Sequence, residues 1–267
     1  MTSFEDRLDE AVQFIREHVT YTPKIGLILG SGLGEYADSL GESIALSSSS
    51  IPHYRVSTVE GHEGKLAFGK IDGKPLLAFQ GRVHFYESND VDSILFPVHV
   101  GYQMGVRILI ITNAAGGINR SFTSGNLMVI SDQIDLTTVS ITSNLRSEAS
   151  PKAIYSKRLI DRTLSVSKAS GIPIRHGTYV GVKGSSYETA SEVEMIRRIG
   201  GDAVGMSTVL EAKCAASLGM EVLGISCITN LATGITGEEL SHAEVTEVGN
   251  SVKKTFSQLI GAIIGRL

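Results

Sequence analysis

Apolar residues recur along the chain with two different spacings. Six segments carry them at the three- and four-residue spacing of an amphipathic helix: 3–19, 91–105, 156–171, 191–200, 209–220 and 243–266. Between them lie short runs rich in Val, Ile and Leu, at 24–29, 76–80, 107–112, 127–130, 203–206 and 221–229. Runs that are apolar on successive residues are typical of strands covered on both faces. The alternation predicts one α/β domain with a central sheet.

Two serine-rich segments interrupt this pattern, at residues 39–52 and 139–151. Both are predicted to be surface excursions within the domain, and the serine run 47–50 is interpreted as a solvated turn.

Composition and charge narrow the function classes. The chain has 267 residues with 24 basic and 28 acidic side chains, a formal net charge of −4. A slightly negative chain has no excess of positive charge with which to bind nucleic acid or an anionic membrane. The N-terminal residues lack the features of a signal peptide, and no apolar run reaches the ~20 residues that span a bilayer. Cys214 and Cys227 have no metal-site spacing, so we expect small buried side chains in a soluble cytoplasmic protein.

Four of the predicted strands run directly into small or polar residues. The sequences at these points are GSGLG, NAAGG, MST and TNLATG. Ligands of open α/β sheets bind at the carboxyl ends of strands, so these segments are predicted to form the floor of one cleft. Glycine at any one of them could instead serve only a tight turn.

The first of these loops, IGLILGSGLG at 25–34, resembles a phosphate-binding turn. A dinucleotide fingerprint needs a third glycine where Glu35 stands, and a Walker loop needs a lysine that is absent. Backbone N–H groups with the hydroxyl of Ser31 remain, and these suit a small oxyanion.

A second cluster, QGRVHFYES at 80–88, places Arg82, His84 and Tyr86 on alternate positions. In an extended chain they would share one face, where a guanidinium and an imidazole can bind phosphate. Ordinary surface polarity is an alternative, and so is a metal site pairing His62 with His84, although no third ligand has suitable spacing.

Later residues supply groups that could recognise a flat ligand. Glu188 and Tyr187 precede a predicted helix, where a carboxylate could also serve only the helix N-terminus. Ser207 lies between a strand and a helix, which is an oxyanion position. Asn230 ends a buried strand and could either bind a ligand or bond the turn backbone. His242 at a helix start could equally be a surface histidine.

Seven motifs in order, LGSGLG, STVEGHEGKLAFG, QGRVHFYES, ITNAAGG, GSSYETASE, DAVGMST and SCITN, resemble the trimeric purine nucleoside phosphorylases. The resemblance covers residues from about 24 to about 260. It implies a single domain, residues 1–267, with a central mixed β-sheet flanked by helices. It also implies reversible phosphorolysis of inosine, guanosine and their deoxy forms in purine salvage, by a homotrimer with no metal or organic cofactor.

Carried over motif by motif, the resemblance implies a role for each site residue. Inorganic phosphate would be held by Ser31, His62, Arg82, His84, the backbone at Ala114, and Ser207. The nucleoside would contact Tyr86, Tyr187, Glu188, Met206, Asn230 and His242. The catalytic residues would be Asn230, Glu188 and His84, with Glu188 accepting N1–H of a 6-oxopurine and Asn230 bonding N7 and O6.

The sequence departs from the family pattern in several places. The family usually reads GPSFET where this chain has GSSYET, and YEG where it has YES; Leu210 replaces a frequent proline. The segment 143–155 is shorter than the family's loop, which normally supplies a Phe to the neighbouring subunit's site; Tyr155 is one conceivable substitute. The open alternatives are a methylthioadenosine phosphorylase, which carries Asp where Asn230 stands, an NAD-dependent oxidoreductase, and a non-catalytic nucleoside-binding protein.

Overall fold

The computed structural model describes residues 2–30, 32–59, 64–141, 153–235 and 242–267, with the backbone alone for 242–246. The helices are α1 (Phe4–His18), α2 (Phe85–Ser88), α3 (Val91–Met104), α4 (Lys157–Ser170), α5 (Ala190–Arg198), α6 (Val209–Ser217) and α7 (His242–Gly265). The strands are β1 (Ile25–Leu29), β2 (Gly41–Ser47), β3 (Lys65–Ile71), β4 (Lys74–Gln80), β5 (Ile108–Gly117), β6 (Leu127–Asp135), β7 (Ile174–Gly181), β8 (Ala203–Gly205) and β9 (Glu221–Leu231).

These strands form one mixed sheet in the order β2-β3-β4-β1-β5-β8-β7-β6-β9, and β9 also pairs with β5. The second half of the sheet therefore closes on itself. β1 is parallel to β4 and β5, and β5 is parallel to β9, so the carboxyl ends of β1, β5 and β9 meet on one side. The predicted α/β class with a central mixed sheet is confirmed.

Helices cover both faces of the sheet. One apolar cluster joins α1, α3 and α6 to the sheet through residues such as Leu8, Leu95 and Ala212. The other packs α4 and α7 on the opposite face, with Phe256 and Ile260 fully buried. This two-sided cover explains why β1 reads as an uninterrupted apolar run. Cys214 and Cys227 are free and buried, as predicted, and burial raises the pKa of each thiol to about 12.

All six predicted helices and all six predicted strand runs occur, with ends shifted by a few residues. Three strands were missed. β2 lies inside 39–52, which was predicted to be a surface excursion. The segment does lie at the surface, but it forms an edge strand whose side chains are exposed except Leu46, so it lacks an apolar signature. β3 and β7 each carry a glycine and polar positions that interrupt the hydrophobic run.

The structure describes the first of the two serine-rich segments completely and the second only in part. Ser48–Ser50 forms a 3-10 turn, but Ser48 is buried and its N–H donates to the Gly64 carbonyl at 2.7 Å, so the prediction of a solvated turn is wrong for this residue. Residues 142–151 of the second segment lie outside the described residues. Across the described part of the chain, no helix combines the length and the apolarity needed to cross a membrane.

Candidate active site

A cleft of about 850 Å³, including its open mouth, lies where β1, β5, β8 and β9 end. Nine of the twelve predicted site residues line it: Arg82, His84, Tyr86, Ala114, Tyr187, Glu188, Met206, Ser207 and Asn230. Ser31 and His62 lie outside the described residues, and so does the side chain of His242, the first residue of α7. The four small-residue strand ends therefore do share one cleft.

The glycine that opens the first loop is required by close backbone packing. A Cβ on Gly30 would lie 2.8 Å from both the Asn113 Cα and the Thr112 carbonyl oxygen. The Gly30 N–H donates to Thr112 Oγ1 at 3.1 Å, which ties the end of β1 to β5. A side chain here would push the loop away from the cleft floor.

Arg82 lies at the bottom of the cleft and is only 7% exposed. Its Nη1 donates to Glu211 Oε1 at 3.1 Å and to Thr208 Oγ1 at 3.3 Å. Its Nη2 donates to the carbonyl oxygen of Thr112. Glu211 is equally buried, so the pair is a buried salt bridge that fixes the guanidinium in one orientation. Residue 82 thus presents a positioned cation rather than a mobile surface arginine.

His84 is fixed in a similar way by Glu87. Glu87 Oε1 accepts from the His84 backbone N–H at 2.7 Å and lies 3.0 Å from Nδ1. Burial acts to raise the pKa of Glu87, but hydrogen bonds from His84 and Thr58 outweigh it and hold this pKa well below its usual range. An ionised carboxylate can only accept hydrogen bonds, so Nδ1 of His84 carries a proton. The other ring nitrogen, Nε2, is then the one left to contact a ligand in the cleft.

Tyr86 reaches the cleft by a different route from the one predicted. The extended conformation expected for residues 82–86 is wrong, because residues 85–88 form the short helix α2. The turn stacks the Tyr86 ring on His84, with centroids 5.0 Å apart and planes 13° apart. The loop before Tyr187 packs close by: a Cβ on Gly184 would lie 2.6 Å from Met206 Sδ and 2.8 Å from Tyr86 Cδ1. Gly184, at φ +71°, therefore allows this loop to cover one wall.

Glu188 and Tyr187 also line the cleft. Burial raises the pKa of Glu188, and the charge of Glu192 adds to the shift, although a backbone hydrogen bond opposes it. Thr189, not Glu188, caps α5: its hydroxyl accepts from the Glu192 N–H. Glu188 therefore does not cap α5, which was the alternative role considered from the sequence. Tyr187 is 47% exposed at the rim.

Asn230 lies at the end of β9, beside the cleft floor. Its Oδ1 accepts from Thr229 Oγ1 at 3.0 Å, and its Nδ2 donates to the Leu231 carbonyl at 3.3 Å. Both bonds are to adjacent residues. Asn230 therefore bonds its own turn, which was one of the two roles considered from the sequence, and it also lines the cleft.

Several residues of the site were missed in the sequence. Glu87 and Glu211 are the partners of His84 and Arg82, and Thr208 joins Arg82 to Asn113. A Glu three residues after His84 is a capping-box spacing that could have indicated Glu87. Asn113 and Thr208 belong to NAAGG and MST, which were predicted to lie at the cleft floor, but their contacts were not predictable, and Glu211 gave no signal, because these contacts join segments far apart in the chain.

Tyr155 is not available to another subunit. It is 4% exposed, and its hydroxyl donates to Gln133 Oε1 at 2.8 Å within the same chain. Its suggested role as a substitute for the family's Phe is therefore wrong. Among the described residues, no group of three or more His, Cys, Asp or Glu is arranged to hold a metal ion.

Comparison with known proteins agrees with this geometry. The sequence pattern of the phosphorylase superfamily matches residues 24–265. Purine nucleoside phosphorylase 1 of Geobacillus stearothermophilus is 45% identical, with 96% of each chain covered. The protein of the same name from Bacillus subtilis (strain 168) is also 45% identical, covering 98% of this chain and 99% of the relative.

Solved structures show the same likeness. A Schistosoma purine nucleoside phosphorylase in complex with hypoxanthine superposes with a TM-score of 0.92 at 29% identity, covering 100% of this chain and 99% of the other. The Schistosoma mansoni enzyme in complex with inosine gives 0.90 at 29% identity, covering 98% and 96%. The chain therefore belongs to the phosphorylase superfamily and, within it, to the purine nucleoside phosphorylase family.

Proposed function

We propose that this protein catalyses the reversible phosphorolysis of inosine, guanosine and their 2′-deoxy forms, releasing the purine base and (2-deoxy)ribose 1-phosphate in purine salvage. The observation that carries the proposal is the cleft itself: in a chain of this family, one cavity is lined by a positioned arginine and histidine together with a carboxylate and an amide. We propose further that residues 1–267 act as one domain, as a cytoplasmic homotrimer, with phosphate as co-substrate and no cofactor.

At one end, Arg82, His84, Ser207 and the backbone at Ala114 would bind inorganic phosphate. The guanidinium offers a charge-assisted donor, and the Ser207 hydroxyl offers a further donor to phosphate oxygens. The Nδ1 proton of His84 faces Glu87, so its Nε2 would accept from a protonated phosphate oxygen, or donate if the ring is protonated on both nitrogens. Ser31 and His62 are assigned to the same anion from the family resemblance. Because the arginine and the histidine are already held by Glu211 and Glu87, the anion would meet donors that need little rearrangement.

At the other end, Glu188 would accept a hydrogen bond from N1–H of the purine, and Asn230 would bond N7 and O6. The sugar would lie between Tyr86, Tyr187, Met206 and His242. A phosphate oxygen attacks C1′ as the N9–C1′ bond breaks, and the bonding pair moves onto the purine. The amide that donates to N7 stabilises the negative charge that develops there, and the carboxylate that accepts N1–H orients the base.

The choice between 6-oxopurines and adenine depends on one hydrogen bond. Adenine presents a lone pair at N1, so the Glu188 carboxylate would face it with no proton between them. Sites built on such a bond discriminate by about 10⁴-fold or more. One related structure, from Schistosoma mansoni, was solved with adenosine, which makes adenosine an informative competitor substrate.

One assay tests the proposal. The purified protein is given inosine, guanosine, adenosine or methylthioadenosine, each with and without inorganic phosphate, and the free base is measured. Hypoxanthine and guanine should appear only with phosphate, and adenine much more slowly. Base release without phosphate would instead identify a hydrolase, and equal rates for adenosine and inosine would contradict the assigned role of Glu188.

A further inference from the structure

Ser207 and the start of α6 are joined by an unusual turn. Thr208, between them, has φ 75° and ψ −48°, a conformation that a β-branched residue rarely adopts. The Val209 N–H donates to the Ser207 carbonyl at 2.8 Å, which closes a three-residue γ-turn. Such conformations persist where surrounding contacts over-determine them, and they concentrate at functional sites.

The contacts that hold this turn converge on one atom. Thr208 is completely buried, and its Oγ1 accepts from Asn113 Nδ2 at 2.9 Å and from Arg82 Nη1 at 3.3 Å. The third neighbour is Ser207 Oγ, at 3.2 Å. Asn113 is itself buried and lines the cleft.

The number of donors and acceptors decides the direction of the hydrogen bond between Thr208 Oγ1 and Ser207 Oγ. A hydroxyl has two acceptor lone pairs and one proton. The Asn113 amide points its NH₂ toward Thr208, and its buried Oδ1 has no hydrogen-bond partner among the described residues. In this orientation both lone pairs of Thr208 Oγ1 are used, because an arginine and an amide NH₂ can only donate. Its one proton must therefore go to Ser207 Oγ. Ser207 becomes an acceptor toward Thr208, and its own proton is directed elsewhere.

The other polar group beside Ser207 is the hydroxyl of Tyr179, which is fully buried and has no other well-formed hydrogen bond among the described residues. A phenol hydroxyl can donate to the second lone pair of Ser207 Oγ, which satisfies the tyrosine without using the serine proton. Ser207 lines the cleft, so its O–H is left to donate to an anion bound there.

We propose that Thr208 is a positioning residue for phosphate: through the γ-turn and its hydroxyl, it sets the Ser207 hydroxyl as a donor into the cleft and couples it to Arg82. This inference rests on the proposed phosphorolysis and deepens it. Thr208 does not touch the substrate. Without its hydroxyl, Ser207 could turn its proton inward, and the phosphate would lose an oriented donor.

The test compares Thr208→Val, which keeps the β-branched shape, with Thr208→Ser, which keeps the hydroxyl. Steady-state kinetics with inosine and inorganic phosphate give KM for each substrate separately. Thr208→Val should raise KM for phosphate about tenfold while KM for inosine stays within about twofold, and Thr208→Ser should stay close to the wild type. Thr208→Ala replaces the valine variant if that variant does not fold.

Two further variants separate this role from a structural one. Thr163→Val removes another buried threonine hydroxyl, which bonds the Leu159 carbonyl in α4, and should leave KM for phosphate unchanged. In a Ser207→Ala background, Thr208→Val should lose most of its effect on phosphate. An unchanged phosphate KM in Thr208→Val, or a full effect in the Ser207→Ala background, would overturn the proposal. A wild-type protein with no phosphate-dependent base release would instead refute the proposed function.

Discussion

The cleft residues proposed to bind phosphate and those proposed to bind the base are held differently. At the proposed phosphate end, Arg82 is nearly inaccessible and forms a salt bridge with Glu211, and His84 is held by Glu87. At the proposed base end, Tyr187 is half exposed, and within the described part of the chain the Asn230 side chain is hydrogen-bonded to its neighbours Thr229 and Leu231. Phosphate is the same in every turnover, so its donors can be fixed in advance. The base end lies on a loop and a strand end, where recognition depends on a few hydrogen bonds formed with the ligand itself.

The largest expected effect concerns the buried salt bridge. Arg82→Met leaves the Glu211 carboxylate buried without its cation, and we expect the free energy of unfolding to fall by about 3–5 kcal/mol in urea titrations. Arg82→Met combined with Glu211→Leu should regain most of that stability without regaining phosphate affinity. The exposed pair of Arg197 and Glu194 is the control, because Arg197→Met should cost less than about 1 kcal/mol. Equal stability losses at both sites would mean that the phosphate end is not preorganised in this way.

At the base end, Asn230→Ala should act on turnover. Loss of a donor that bonds the leaving purine in the transition state costs roughly 3–4 kcal/mol, so kcat for inosine should fall by about 10²- to 10³-fold. KM for inosine should change much less, and so should the unfolding free energy. Near-normal turnover in this variant would remove Asn230 from the mechanism.

The pH dependence should come from the base end. The raised pKa of Glu188 means that this group stays protonated to a higher pH than an ordinary glutamate, and a neutral acid cannot accept N1–H through a carboxylate. As pH falls through this raised pKa, kcat/KM for inosine should decline. Glu87 contributes no such decline, because its pKa is held low and it stays ionised. Glu188→Gln should lack this acid limb; its persistence there would assign the limb to another group.

The smallest expected effect is at the rim. Tyr187→Phe removes only a hydroxyl from a half-exposed ring, so kcat/KM for inosine and the unfolding free energy should each change by less than about 0.5 kcal/mol. The variant also restores the residue that the family usually carries in this motif. A tenfold loss of kcat/KM would show that the rim hydroxyl binds the nucleoside, and the contrast between the two ends would then be smaller than the structure indicates.

Most of the fold was predictable from local patterns in the sequence. Helices such as α7 and strands such as β1 were predictable because a long helix must bury one face and a doubly covered strand must be apolar throughout. The edge strand β2 was not, because only its backbone pairs with β3 and its side chains stay in solvent. The burial of Tyr155 was not predictable for a related reason, since nothing local shows that its hydroxyl meets Gln133.

The sequence by itself determined the family, the alternation of helices and strands, and the residue types that could bind phosphate and purine. Only the tertiary structure decided how those groups are held. Glu211 is 129 residues from Arg82, and Asn113 is 95 residues from Thr208, yet each pair is in hydrogen-bond contact. Such contacts leave no periodic trace in the chain, because they depend on which strand ends the sheet brings together.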